Sequence, residues 1–232
     1  MAGKRFWRGA AAGILCAALF LMPFSGVSAE STDVGTDFNA VSGSVVYADK
    51  TVSGLAEKRL LQYWSLIPEN ITDAMEEAGI RVYLSRTYDF SEEGTVTYAV
   101  TKGASVTYSG KSLEAVSVSL PVIYFDADYG VGHADALVHE AGHVLDWLLY
   151  LEGAETYSED AERPSESDEW ASIYESCRYL LAAQDPAGAA NTLSSSSEGF
   201  AEAFKLYVIS PGTLESISGG AFLFIEKCVG SL

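Results

Sequence analysis

Histidines, cysteines and basic residues are scarce in this sequence. Its 232 residues include three histidines and three cysteines, and 14 lysines and arginines stand against 32 aspartates and glutamates, a formal net charge of −18. A general nucleic-acid binder needs a basic surface, so this function is excluded. The few cysteines cannot form a disulfide framework, although Cys177 and Cys228 could pair with each other in an oxidising compartment.

Apolar residues are abundant by comparison. They make up 48% of the chain, and aromatic residues make up 12%. Low hydrophobicity is the signature of disordered chains, so global disorder is excluded and one well-buried core is expected. The chain length is typical of a single domain.

The first 29 residues have the pattern of a secretory signal peptide. Lys4, Arg5 and Arg8 form a basic start, residues 9–22 are small or apolar, and cleavage is expected after Ala29. The alternative is an uncleaved membrane anchor, but the apolar run is shorter than the roughly 20 residues that span a bilayer. We therefore predict a secreted, extracellular protein without stable membrane insertion after cleavage. Association with the cell surface stays open.

The rest of the chain divides into a lead-in and one domain. Residues 30–45 are rich in Ser, Thr, Gly and Asp and predict a flexible lead-in, and residues 46–232 predict a single domain. Helical periodicity over 55–79 gives way to Val-, Thr- and Tyr-rich segments with a period of two over 80–125, and helical patterns return beyond Asp126. Helix, strand and helix regions in this order predict an α+β fold with a small N-terminal mixed sheet.

The motif HEAGH at His139–His143 carries the clearest chemical signal. Histidines at positions i and i+4 of a helix point the same way, so His139 and His143 can bind one zinc ion. Glu140 would then lie beside the metal and could take a proton from an activated water molecule. The apolar residues around the motif predict that this helix is buried on its other sides.

A catalytic zinc site usually needs a third protein ligand. His133 is the remaining histidine of the chain, at the front of the same helical pattern, and Asp146 is aligned with His139 and His143. A continuous helix would nevertheless separate Asp146 from His139 by roughly 10 Å along its axis. The third ligand is therefore expected from another element.

The segment EGFAEAF at Glu198–Phe204 offers that ligand. Glu198 and Glu202 lie one turn apart on one face of a predicted helix. One carboxylate of such a pair can bind zinc, while the other orients a ligating histidine through the far ring nitrogen. The spacing alone does not decide which glutamate has which role.

These segments resemble a known family. HEAGHVLD, EWASIYE, EGFAEAF and the tail YVISPGTLESISGGAFLFIE are similar to the metallopeptidase domain of anthrax lethal factor, whose relatives include secreted Pro-Pro endopeptidases. The resemblance covers the chain from about Tyr124 to the C-terminus. It implies a zincin-like domain of the HExxH-plus-Glu (gluzincin-like) type, with Glu198 as the third zinc ligand and Glu202 orienting a histidine.

Two features depart from this family. The relatives have a catalytic tyrosine seven residues before the third ligand, where this sequence has Asn191. Tyr174 or Tyr179 could take its place, or the loop before Glu198 could be rebuilt. The sheet region also lacks a tryptophan like that of the Pro-Pro endopeptidases, so Pro-Pro specificity is not supported.

The sequence as a whole predicts a secreted zinc endopeptidase. It would act as a monomer on protein or peptide substrates, which would lie along an edge of the strand region. The alternative is a non-catalytic exported domain that keeps zinc for stability or for binding a partner, an idea motivated by the missing tyrosine at position 191.

Overall fold

In the computed structural model, residues 38–86, 88, 98–102, 105–108, 115–128, 130–155 and 162–232 are described. The predicted signal peptide and the first residues of the lead-in lie outside them. The strands are β1 (Phe38–Ser42), β2 (Val46–Asp49), β3 (Arg81–Ser85), β4 (Ala99–Lys102), β5 (Ser105–Tyr108), β6 (Ala115–Ser119) and β7 (Val122–Asp126). The helices are α1 (Gly54–Trp64), α2 (Glu69–Ala78), α3 (Ala136–Glu155), α4 (Asp168–Ala182), α5 (Ala189–Thr192), α6 (Ser196–Ile209), α7 (Pro211–Ile217) and α8 (Gly219–Val229).

The main sheet is mixed, as predicted. Its five strands have the order β1-β2-β3-β7-β4, and β5 pairs with β6 in a separate hairpin. Strands β2, β3 and β7 are parallel to one another, whereas β1 and β4 pair antiparallel at the two edges. The α+β class is confirmed, and β4 is the edge strand on the side of the candidate site.

The two faces of the sheet differ in character. Alternate residues of the parallel strands form the buried face: Val46, Ala48, Val82, Leu84, Ile123 and Phe125. They belong to one hydrophobic cluster, which also includes residues of α1, α2 and α3. In the sequence, its members range from Val45 to Cys228. The opposite face carries Tyr47, Tyr83 and Tyr124, which are paired in register across the three strands.

The first two helices begin and end where local signals place them. Ser53 caps α1, because its side chain accepts a hydrogen bond from the backbone N–H of Ala56. Helix α2 follows Pro68 and ends at Gly79, whose φ of 78° is the left-handed conformation that favours glycine.

The lead-in prediction was wrong for residues 38–45. Strand β1 lies within this segment and pairs antiparallel with β2. The ring of Phe38 meets that of Tyr83 at 5.1 Å between centroids, and Val41 packs against the core. Gly43, with a φ of 51°, lies in the turn between the strands. Burial of Val45 and the contacts of Phe38 and Val41 outweigh the polar composition that suggested flexibility.

The C-terminal half is helical, and its helix α6 provides the main packing against α3. The aromatic side chains of Trp170, Phe200 and Phe224 pack together between α4, α6 and α8. Cys177 and Cys228 are both buried as free thiols, so the disulfide considered from the sequence does not form. Burial raises the pKa of the Cys228 thiol to about 12. Within the described residues, we find no helix with the length and apolar character to span a membrane.

Candidate metal centre

Helix α3 presents the HEAGH motif to an open cavity while its other sides are buried. Leu137, Val138, Ala141, Val144 and Leu145 are all fully buried. The side chains of His139 and His143 keep 14% and 15% of their surface exposed. The apolar residues therefore fix the helix in the core, and the two imidazoles remain accessible from one side.

Helix α6 lies directly against α3 and brings Glu198 to the two histidines. A Cβ atom at Gly142 would lie 2.9 Å from the Cα of Ala201, so the glycine between the histidines permits this close approach. Ser195 caps α6 by accepting a hydrogen bond from the N–H of Glu198. Gly199 permits a close approach between α6 and α4, since a Cβ atom there would overlap the ring of Tyr174.

The three predicted ligands come together with spacings that suit a metal ion. Nε2 of His139 is 3.1 Å from Oε2 of Glu198, and Nε2 of His143 is 3.4 Å from Oε1 of the same carboxylate. Donor atoms around a tetrahedral zinc ion with bonds of about 2.0–2.1 Å are roughly 3.3 Å apart. All three donor atoms lie within 4.8 Å of one another, so this group could hold a metal ion.

The side chains of His139 and Glu198 shift each other's pKa values. Burial by itself would lower the pKa of His139, but hydrogen bonds to Glu198 and Glu202 and nearby negative charges outweigh burial and raise it to about 10. Burial would raise the pKa of Glu198, and the hydrogen bonds from His139 and His143 instead hold it well below its ordinary value. The negative carboxylates around the two imidazoles favour a positive charge in the candidate site. A metal cation can supply that charge.

Each histidine has a partner for its other ring nitrogen. Nδ1 of His139 is 3.3 Å from Oε2 of Glu202, which is 2% exposed. Nδ1 of His143 is 3.3 Å from the hydroxyl oxygen of Ser197. These contacts fix the ring orientations and direct both Nε2 atoms towards Glu198.

Glu140 is buried beside the histidines and is held by the edge strand. The hydroxyl of Thr101 on β4 donates a hydrogen bond of 2.6 Å to Oε2 of Glu140. The carboxylate is therefore placed at the junction of α3 and β4, where it lines the same cavity as the three candidate ligands.

The two other ligand candidates from the sequence have different partners. Asp146 is fully buried, and its two oxygens accept hydrogen bonds from the N–H and the hydroxyl of Ser165. Burial raises the pKa of Asp146 and outweighs these hydrogen bonds, which act to lower it. His133 stacks on the ring of Tyr98, with centroids 4.0 Å apart. Neither belongs to the group of possible ligands found among the described residues.

The structure gives the proposed substitute tyrosines other environments. The hydroxyl of Tyr174 donates to the carbonyl oxygen of Thr192, and its ring packs against Gly199. Tyr179 is 66% exposed on α4. Asn191 lines the cavity, and Tyr98 is the one tyrosine among the cavity-lining residues in the described part of the chain.

The cavity has a volume of about 880 Å³ and extends well beyond the histidines. Strand β4 and the preceding Tyr98 form one wall. Six residues of the segment between α4 and α6 contribute to another: Asp185, Ala187, Gly188, Ala190, Asn191 and Thr192. Trp147 and Arg163 also line it, with the guanidinium 5.2 Å from the indole centroid. A cavity of this size can accommodate several residues of an extended peptide.

Three contributors to the site were not predicted from the sequence: Thr101, Ser197 and Lys205. Thr101 belongs to a strand that pairs with β7, and Ser197 precedes a predicted ligand in a serine run. Lys205 lines the cavity although its side chain is only 8% exposed. Only the run of helical apolar residues around Lys205 could have indicated its burial.

Comparison with known proteins gives a fold relationship. No protein-family model matches the chain, and no curated protein matches it. Among solved structures, it is similar to the Pro-Pro endopeptidase PPEP-2 from Paenibacillus alvei, with a TM-score of 0.51 and 20% sequence identity. The match covers 79% of this chain and 96% of that chain. At this identity the likeness establishes a shared fold, and the similarity to lethal factor stays a prediction from the motifs.

Proposed function

We propose that this protein is an exported zinc-dependent endopeptidase with a gluzincin-like site. His139, His143 and Glu198 would hold the zinc ion, and Glu202 would orient His139. The observation that carries the proposal is the convergence of three donor atoms within 4.8 Å, with Glu140 adjacent in the same open cavity. The fold shared with PPEP-2 is consistent with peptide hydrolysis.

The protein residues divide the catalytic work among them. A zinc ion bound at this site would polarise the scissile carbonyl and acidify the attacking water. Glu140 takes the proton of that water as it attacks the carbonyl carbon, and then gives the proton to the amine that leaves. Thr101 holds the Glu140 carboxylate in place during both transfers.

The substrate would bind as an extended strand along β4. This strand is at the edge of the five-stranded sheet, and its residues line the cavity beside Glu140. Backbone pairing with an edge strand holds a peptide irrespective of its side chains and leaves specificity to the cavity walls. The scissile bond would then lie over the zinc ligands.

The test is cleavage of a diverse peptide library by the exported protein, residues 30–232, followed by mass spectrometry. Cleavage that is abolished by zinc chelation and by Glu140→Gln would support the proposal. Glu140→Gln keeps the size of the side chain and can still accept the hydrogen bond from Thr101. Bound zinc without cleavage of any peptide would favour the exported binding domain, and equal cleavage by Glu140→Gln would contradict the mechanism.

A further inference from the structure

Lys205 is the one buried lysine or arginine among the described residues. It lies on α6, and only 6% of its surface is exposed. Burial of a charge is costly unless the charge is paired and hydrogen-bonded. Because Lys205 is buried beside the candidate metal centre, its ammonium group is expected to be paired with carboxylates.

Three carboxylates from three separate segments surround the ammonium group. Nζ of Lys205 lies 2.8 Å from Oε2 of Glu202 on the same helix. It lies 3.3 Å from Oδ2 of Asp185, which follows α4, and 3.7 Å from Oδ2 of Asp135, which precedes α3. Burial would lower the pKa of Lys205, but these carboxylates outweigh burial and raise it, so the lysine is positively charged.

The oxygen of Glu202 that contacts Lys205 is the one that contacts His139. Oε2 of Glu202 is 3.3 Å from Nδ1 of His139. The other oxygen, Oε1, is buried and has no hydrogen-bond partner in the described part of the chain. The orientation of this carboxylate therefore depends on the two contacts of Oε2, one to the imidazole and one to the ammonium group.

We propose that Lys205 is a positioning residue for metal binding. Its ammonium group holds the Glu202 carboxylate against His139 and so fixes the direction of His139 Nε2 towards the metal. Asp135 and Asp185 hold the lysine itself, because their Oδ2 atoms lie 3.7 and 3.3 Å from Nζ. The inference rests on the proposed zinc site, and it concerns metal affinity rather than the cleaved peptide.

The experiment measures zinc affinity in the exported protein by competition with a chromophoric chelator. Outer contacts of this kind typically change metal affinity about 10- to 100-fold. Lys205→Met should weaken zinc binding by that factor and alter the visible spectrum of the Co²⁺-loaded protein, which reports the arrangement of the ligands. Lys205→Arg, which keeps the charge, should restore part of the affinity.

Lys227→Met is the matched control. Lys227 lies on α8, is 62% exposed and contacts Glu169. Its replacement should leave zinc affinity and the Co²⁺ spectrum unchanged. A folded Lys205→Met protein with wild-type zinc affinity would overturn the inference.

A double variant covers the case in which Lys205→Met does not fold. Lys205→Met combined with Glu202→Gln removes both charges of this buried pair. Neither charge is then left buried without the other. If Lys205 acts through Glu202, the double variant should bind zinc as Glu202→Gln does. A further loss of affinity in the double variant would contradict the inference. Wild-type protein that binds zinc but cleaves no peptide would affect the endopeptidase proposal alone.

Discussion

Thr101 and Glu140 are joined by a hydrogen bond of 2.6 Å that links the edge strand β4 to helix α3. The hydroxyl of Thr101 is the donor, and Oε2 of Glu140 is the acceptor. In the proposed mechanism, the strand that pairs with the substrate thereby also positions the general base. In that mechanism, the substrate backbone and the proton acceptor would be held by the same four-residue strand.

Replacement of Thr101 by valine should lower kcat and leave KM nearly unchanged. Valine keeps the shape of the side chain but removes the hydrogen bond to Glu140, and bonds to charged groups contribute about 1.5–3 kcal/mol. We expect a fall in kcat of about tenfold or more. Thr101→Ser should retain most of the activity because the hydroxyl remains. Steady-state kinetics on a peptide substrate checks this prediction.

Thr72→Val provides the control for loss of a threonine hydroxyl. Thr72 lies on α2, and its hydroxyl donates to the carbonyl of Glu69. Its replacement should not change kcat. If Thr101→Val also leaves kcat unchanged in a folded protein, Thr101 does not position the general base.

The central helix of the site could be predicted because its signals are local. The i, i+4 spacing of His139 and His143 and the apolar residues around them lie within one continuous segment. Glu198 needed more than spacing, because Glu202 fits the same pattern, and the family resemblance was required to choose between them. The structure places Glu198 next to both Nε2 atoms and Glu202 next to Nδ1 of His139.

The remaining contributors depend on contacts between distant parts of the chain. Lys205 resembles any helical lysine until Asp135 and Asp185 are placed around it. Thr101 acquires its role only when β4 pairs with β7 and lies against α3. Strand β1 was missed because five residues of mixed polarity show no clear alternation, and pairing with β2 is what orders them.

Gly142→Ala should destabilise the protein. A Cβ atom at this position would lie 2.9 Å from the Cα of Ala201 and 3.2 Å from the Cβ of Phe204. The two helices that carry the candidate ligands would have to separate, and overpacking of this kind typically costs about 1–3 kcal/mol. Urea unfolding of the metal-free protein should show this decrease in the free energy of unfolding.

Gly212→Ala is the matched control for that substitution. Gly212 lies in the first turn of α7, and a Cβ atom there would meet no other atom within 4 Å. Alanine is favoured over glycine in helices by up to about 1 kcal/mol. The control should be neutral or slightly more stable, and an equal loss in both variants would show that the α3–α6 approach is not tight at Gly142.

Zinc binding should release at least one proton from the metal-free protein at a pH midway between 6.5 and 10, one of them from His139. The pKa of His139 is raised from its ordinary 6.5 to about 10, so its imidazole is protonated there and must lose a proton to ligate a metal. Titration calorimetry in buffers of different ionisation enthalpy measures the released proton. A binding enthalpy that is independent of the buffer would contradict the coupling of His139 to its carboxylates.

The same shift determines how the stability of the metal-free protein depends on pH. A group whose pKa is raised in the folded state contributes stability that is complete below its unfolded pKa and is lost as the pH rises through the folded value. The His139 contribution is therefore present below pH 6.5 and lost towards pH 10. Glu198 has the opposite pH dependence because its pKa is lowered in the folded state. Its contribution to stability is lost as the pH falls below 4.5. Metal-free thermal unfolding temperatures should decrease in both directions.

Metal content distinguishes Glu198 from Asp146 as the third zinc ligand. Glu198→Gln removes the carboxylate that lies next to both Nε2 atoms and should lose most of the zinc. Asp146→Asn keeps a side-chain oxygen that can accept from the N–H of Ser165, and its amide can donate to the Ser165 hydroxyl. It should keep its zinc and lose about 1–3 kcal/mol of stability at most. Elemental analysis after dialysis against limiting zinc checks both variants, with thermal unfolding to show that each is folded. Zinc retained by Glu198→Gln and lost by Asp146→Asn would assign the third ligand to α3 and exclude the arrangement proposed above.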